Sequence, residues 1–219
     1  MFAVQKCGIM QEKLGENSSE KRLPVWDVYE CCPKFENESF LLRPVMEEDC
    51  NALLKVYSDP QAVPLFNSDN CGGDTFYYTT GARMAQAISY WRLEYGRRGF
   101  VRWAVVNLRE GEAVGTIELF HRDAMDAFTD CGILRLDLRS DCERAQTIES
   151  ILSLILPAAF SLFACGTVAT KASPAARERI CALENLGFVP SNDVLIGHDG
   201  TAYGDYYVLY SDSHQKKNF

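Results

Sequence analysis

Leu134-Arg135-Leu136-Asp137-Leu138, followed by Arg139-Ser140-Asp141-Cys142-Glu143-Arg144 and then Ala145-Gln146-Thr147, is the stretch on which the reading of this chain turns. Apolar and polar residues alternate through Leu138, the period of a strand with one buried face. Arg139 to Arg144 are mostly polar and read as a loop, and from Ala145 to Phe163 apolar residues recur at helical spacing. A strand feeding a helix through a short loop makes an anion cradle, because the unpaired N–H groups of the first helical turn point into the loop and the helix dipole favours negative charge there. Phosphate is the natural guest. Phosphate loops ordinarily use glycine for close backbone approach, yet no glycine occurs from Ile133 to Cys165.

Composition narrows the classes around that element. A chain of 219 residues, 47% hydrophobic and 24% charged, suits one globular domain with a core of ordinary size. Its net charge of -8 leaves no basic footprint for nucleic acid or an anionic membrane, and suits a cationic or amine partner as well as simple solubility. The cysteine count is odd, no Cys-x-x-Cys occurs, and His121, His198 and His214 stand alone. Neither a disulfide framework nor a metal site is expected, and the setting reads as a reducing cytoplasm. Cys131, Cys165 and Cys181 lie among apolar residues and are expected in the core. Met1-Phe2-Ala3-Val4-Gln5-Lys6 lacks the apolar run of a signal peptide. Ser150 to Thr170 contains no charged residue and is long enough to span a bilayer, but it divides into an amphipathic helix and the β-type Thr167-Val168-Ala169-Thr170. A buried helix leading into a buried strand is the expectation.

Outward from this segment, elements alternate in type. Residues 1–38 read as a partly ordered extension in which Pro24-Val25-Trp26-Asp27-Val28-Tyr29 is the part apt to dock. Phe40 to Arg43 is a strand closed by Pro44, and Glu47 to Tyr57 a helix with acids in its first turn. After a loop through Asn67, Asn70, Gly72 and Gly73, a helix from Thr80 to Tyr95 carries Met84, Ile88, Trp91 and Tyr95 as a core stripe. Strands Val101 to Val106 and Ala113 to Phe120 form a hairpin through Gly111, and Cys131 to Leu138 follows. Beyond the strand at Thr167 to Lys171, Ser173-Pro174 reads as N-cap and first helical residue of a helix that ends at Gly187. Val194-Leu195-Ile196, Asp199-Gly200 and Tyr206 to Tyr210 read as a closing hairpin.

This order, with Leu41-Leu42-Arg43-Pro44, Val114-Gly115-Thr116-Ile117, Leu186-Gly187-Phe188 and Asp205-Tyr206-Tyr207-Val208 in place, resembles the GNAT N-acetyltransferase superfamily, nearest its ribosomal-protein N-terminal acetyltransferase branch. The resemblance covers about Phe40 to Ser211 and implies one α/β (α+β) domain over residues 39–212, with 213–219 as a tail. Its sheet would be mixed, mostly antiparallel and splayed, with helices on both faces. It further implies acetyl-CoA as co-substrate, with no metal. The pantetheine arm would lie against Leu136, Asp137 and Leu138, and the pyrophosphate on the loop Cys142 to Thr147. The family's Arg/Gln-x-x-Gly-x-Gly/Ala falls on Cys142-Glu143-Arg144-Ala145-Gln146-Thr147, where neither glycine is present. The asparagine usual in the last helix reads Ala175 or Ala176, and the usual tyrosine acid reads Leu183.

Glu143 adds repulsion toward phosphate, whereas Arg139, Arg144 and the Thr147 hydroxyl offer compensating contacts; both arginines also read as ordinary solvated charges. Leu136, Leu138, Arg139, Arg144, Ala145, Gln146 and Thr147 are therefore the candidate cofactor residues. Acetyl transfer to an amine needs a proton acceptor near the thioester. Alternation places Glu118 beside Thr116, and Asp137 beside Arg135, on strands expected to be central. Glu118 is the first candidate base and Asp137 the second, with Asn67 and Arg135 on the acceptor side. A plain ion pair of Arg135 with Asp137 or Glu118 accounts for the same residues. The expected substrate is a peptide or small-molecule amine, with no nucleic-acid or membrane partner, in a monomer or homodimer. A member that binds a CoA-like ligand or a protein without turnover is the alternative.

Overall fold

The computed structural model describes residues 27–211. Strands β1 (Phe35–Glu36), β2 (Phe40–Pro44), β3 (Val101–Asn107), β4 (Glu112–Arg122) and β5 (Cys131–Leu138) each pair antiparallel with the next. Helices α1 (Cys50–Tyr57) and α2 (Gly81–Gly96) interrupt this run, and α3 (Ala145–Leu162) crosses from β5 to β6 (Thr167–Lys171). Then come α4 (Arg177–Asn185), β7 (Val189–Pro190), β8 (Leu195–Ile196), β9 (Ala202–Tyr203) and β10 (Tyr206–Tyr210). The main sheet has the order β1-β2-β3-β4-β5-β6-β10-β7, and β5–β6 is its parallel pair.

Alternation on the strands assigns the two faces. Val101, Trp103 and Val105 of β3, Ile117 and Leu119 of β4, and Leu134, Leu136 and Leu138 of β5 pack against Ile148, Ile151, Leu152 and Ile155 of α3 and Leu183 of α4. Ala104 and Val106 face the other way, onto Leu53, Val56 and Tyr57 of α1 and Met84, Ile88 and Trp91 of α2. Each fully buried aliphatic side chain in these layers contributes about 1.5–3 kcal/mol. α3 is long and apolar enough by composition to cross a membrane, yet its apolar stripe lies in the core while Gln146, Pro157 and Ser161 are exposed. Val28 is buried, and the Tyr29 ring packs tilted against Tyr95 and edge-on to Phe163, so the extension docks from residue 27 onward. Trp26 falls outside the described residues.

Several elements differ from the sequence reading; Glu47–Asp49, expected as the first turn of the helix ending at Tyr57, form a 3-10 turn ahead of α1. α4 starts at Arg177, with Ala176 as N-cap, because Ser173 and Pro174 are taken up in a separate turn closed by Ala176 N–H on the Ser173 carbonyl. Its other end is as expected: Gly187 has φ +87°, and Phe188 N–H reaches the Leu183 carbonyl in a Schellman closure. The closing hairpin pairs Leu195–Ile196 with Ala202–Tyr203 in a small ribbon, while Tyr206–Tyr210 joins β6 instead. β10 has five register partners on β6, which outweighs any local turn signal. Cys131 and Cys165 are buried, but Cys181 is exposed on the outer side of α4, whose inward positions are Arg179, Ala182 and Leu183. Gly115 is required sterically: a Cβ there would strike the Asp137 carbonyl and lie 2.6 Å from Leu138 Cδ2.

Candidate active site

The polar residues of the central strands form two rows across the sheet, on the α1–α2 face. Arg102, Glu118 and Arg135 are register partners on β3, β4 and β5, and Ala104, Thr116 and Asp137 are the next row. The Glu118 carboxylate accepts from Arg102 at one oxygen and from Arg135 at the other, the latter at 2.6 Å. Asp137 Oδ2 accepts from the Tyr57 hydroxyl at 2.7 Å and from Arg102 at 3.2 Å, and Tyr57 also meets Thr116 at 2.8 Å. The Arg102 guanidinium carbon lies over Trp91, 4.1 Å from the indole ring centre. Among the described residues, Asp137 Oδ1 has no hydrogen-bond partner.

The two carboxyl groups therefore behave in opposite ways. Burial pushes the Glu118 pKa up, but the guanidiniums of Arg102 and Arg135 outweigh it and hold the group below the usual glutamate value. For Asp137 burial wins over Arg102, Tyr57 and Arg179, and the pKa is raised. Burial, then the neighbouring Asp137, drives the Tyr57 hydroxyl well above its ordinary value, so it remains a donor.

A cavity of about 770 Å³ opens beside the first row. Phe76, Tyr78, Tyr90, Trp91, Phe100 and Phe120 line it, together with Asp74, Glu94, Arg102, Glu118 and Arg135. Arg135 thus stands at the cavity and also donates to the Asp69 carbonyl at 2.7 Å. Asn67 is buried at 1% exposure, its side-chain oxygen accepting from Asp69 N–H, and it does not line this cavity. Asp69 itself is bound twice by Lys171 at 2.8 Å and by the Tyr206 hydroxyl.

On the other side of β5 the sheet parts. Pairing with β6 runs from Cys131↔Thr167 to Leu134↔Thr170 and stops, leaving the β6-facing edge of Leu136 and Leu138 without a strand partner among the described residues. The Leu136 carbonyl is instead capped by Arg179 of α4 at 2.8 Å, and the same guanidinium reaches the Leu65 carbonyl at 2.9 Å and pairs with Glu143. Ala145 N–H, in the first turn of α3, is taken by the Glu178 carboxylate at 2.8 Å. Arg139 is engaged by Asp141, Glu110 and Glu112, and Arg144 reaches the Asp141 carbonyl at 3.3 Å. Gln146 is exposed and Thr147 half-buried at the start of α3. The structure thus brings Leu136, Leu138, Ala145, Gln146 and Thr147 to one edge of β5, and Glu118, Asp137 and Arg135 to its other side.

Arg102, Tyr57 and Arg179 escape the sequence reading. Arg102 carries a signal, a charged residue inside an apolar strand, which becomes pointed once the hairpin register sets it opposite Glu118. Arg179 shares a helical stripe with Ala182, Leu183 and Leu186, which marks it as inward. Tyr57 carries none, because nothing local distinguishes a core tyrosine from one holding a carboxylate.

Residues 39–189 match the family model described as acetyltransferase (GNAT) domain. Among solved structures, the fold is similar to Mycobacterium smegmatis RimJ in complex with CoA-disulfide, at 17% identity and TM-score 0.60, covering 80% of this chain and 83% of that one. It is similar to the ribosomal-protein-S5-alanine acetyltransferase of Vibrio fischeri at 15% identity and TM-score 0.58, over 82% and 97% of the two chains. AAC(6')-Ib in complex with ribostamycin and coenzyme A matches at 15% identity and TM-score 0.58, over 83% and 99%. No curated protein matches the sequence. The mixed sheet parted at β5–β6, the helices on both faces and the family match over most of its length make this chain a GNAT-family acetyltransferase.

Proposed function

We propose that this protein transfers the acetyl group of acetyl-CoA to the primary amine of a peptide N-terminus or a small molecule. The observation that supports this most directly is the register of β5. Just where its pairing with β6 ends, the strand offers the backbone of Leu136 and Leu138 to one side and the Asp137 carboxyl to the other. An amide-rich arm is recognised by such an unpaired edge, and the N–H groups of the first turn of α3 suit its phosphates. Bound there, acetyl-CoA supplies the activated acyl carbon.

The chain's own part is proton handling and positioning. An alkylammonium must lose its proton before it attacks, and Asp137, buried beneath Tyr57 one row behind the cavity, has an oxygen free to receive it where Glu118, at the cavity, has none. Burial raises the Asp137 pKa and its Oδ1 is unengaged, whereas both Glu118 oxygens are held by guanidiniums that lower its pKa. Tyr57 and Arg102 fix the other Asp137 oxygen. The aromatic cavity with Asp74 and Glu94 suits an amine carrying an apolar body.

The alternative, binding without turnover, is favoured by one observation: the glycine-free loop and the first turn of α3 are already engaged by α4. Titration of acetyl-CoA by calorimetry, followed by thiol release against a panel of peptide and small amines, separates the two. An acetylated product identified by mass spectrometry is expected. Binding without thiol release against every amine would leave the binding-only reading.

A further inference from the structure

Two of the groups expected to hold acetyl-CoA are held by the protein itself. The Leu136 carbonyl accepts from Arg179 and the Ala145 amide donates to Glu178, two consecutive residues in the first turn of α4. One is a cation placed where an amide N–H would donate, the other an anion placed where a phosphate would accept. Arg179 is 2% exposed and also bridges Leu65, on the loop after α1, so its guanidinium ties three segments together. Glu143, which looks hostile to phosphate in the sequence, is its counter-ion.

We infer that Glu178 and Arg179 form an internal latch that occupies the acyl-CoA cleft and must swing out before the co-substrate enters. The inference rests on the acetyl-CoA reading above, and it accounts for an acid in the loop at Glu143 and for the missing glycine at Ala145. A side chain at Glu143 is needed to neutralise Arg179, and close backbone approach is unnecessary while a carboxylate from α4 sits on the helix end. The start of α4 is suited to movement: no side chain caps it, and it follows a short turn at Pro174 and Ala175. Arg139 and Arg144, bound to Asp141 and its neighbours, do not hold the latch. Acetyl-CoA then competes with α4 for the same backbone groups, and its affinity is set by the difference.

The test is calorimetric titration of CoA into the full chain and into the Glu178→Gln, Arg179→Met and Glu143→Gln/Arg179→Met variants, with amide hydrogen exchange of the unaltered protein in the presence and absence of CoA. Glu178 is exposed, so its substitution leaves the fold intact. Removing the competing carboxylate or guanidinium should tighten CoA binding by about tenfold or more, the equivalent of one charge-assisted hydrogen bond. In the unaltered protein, CoA should raise exchange in the first turn of α4. Equal or weaker binding by the variants, with α4 exchange unchanged, overturns the latch and leaves the acetyl-CoA reading standing. Absence of CoA binding in every protein overturns both, whereas binding by the variants alone supports the latch in its strongest form.

Discussion

The two sides of β5 bury charge by different means. On the α1–α2 face, Arg102, Glu118, Arg135 and Asp137 project from three hydrogen-bonded strands in fixed register, so each group has its partner dictated by the ladder. On the cleft side, Arg179 is as deeply buried and Glu143 partly so, but they come from a short helix and the loop before α3. Desolvation penalises both sets alike. What differs is the tether: strand charges cannot leave without unpairing the sheet, whereas no ladder holds α4 in place.

That contrast is most sharply tested at Arg102. Arg102→Met removes the guanidinium shared by Glu118 and Asp137, and leaving buried carboxyl oxygens without it should cost about 3–5 kcal/mol in urea unfolding. The Glu143→Gln/Arg179→Met pair removes both charges together and leaves only the Leu65 and Leu136 carbonyls short of a donor, on a helix free to shift, so its loss should be smaller, about 1–3 kcal/mol. Equal losses in the two cases would erase the distinction between the faces.

Asp137→Asn probes the same row for chemistry. It should lower kcat/KM by roughly 10²–10⁴-fold without weakening CoA binding, while Glu118→Gln acts chiefly through lost stability. The two carboxyls also have opposite pH signatures. The lowered pKa of Glu118 means that its contribution is fully present above the ordinary glutamate value and is lost as pH falls through its folded value. Asp137 binds its proton more tightly folded than unfolded, so stability declines as pH rises from the ordinary aspartate value through its raised one. Denaturant midpoints measured across that range should therefore fall with pH in the parent relative to Asp137→Asn. A constant difference would mean that Asp137 titrates normally.

Smaller effects mark the limits of the comparison. Gly115→Ala forces β4 away from the Asp137 carbonyl and should cost about 1–3 kcal/mol, seen as a lower thermal midpoint. Lys55→Ala, which breaks an exposed pair with Glu112, should shift stability by about 1 kcal/mol at most and lose even that in high salt.

Much of this arrangement is legible in the chain itself. Alternation from Leu134 to Leu138 and from Gly115 to Leu119 sets each polar side chain on its face, and helical spacing places Met84, Ile88 and Trp91. What alternation cannot supply is the partner across strands distant in sequence. The Arg135 pairing with Glu118 follows only from the β4–β5 register, and the meeting of Arg179 with Leu136 only from the return of α4 to the sheet. The start of α4 was hidden because Ser173-Pro174 is equally good chemistry for a turn. The closing hairpin misled because a strong local turn at Asp199-Gly200 says nothing about which later strand it joins.

The parted sheet also divides the molecule's cooperativity. β4 and β5 share eight register positions and β5 and β6 only four, so the ladder narrows at the middle of the sheet. A seam of that kind separates two units of local unfolding. Amides of Thr167–Lys171 and Tyr206–Tyr210 would exchange together through one opening, at a lower free energy than those of Val101–Asn107 and Glu112–Arg122, and a ligand bridging the seam would make the two halves open as one.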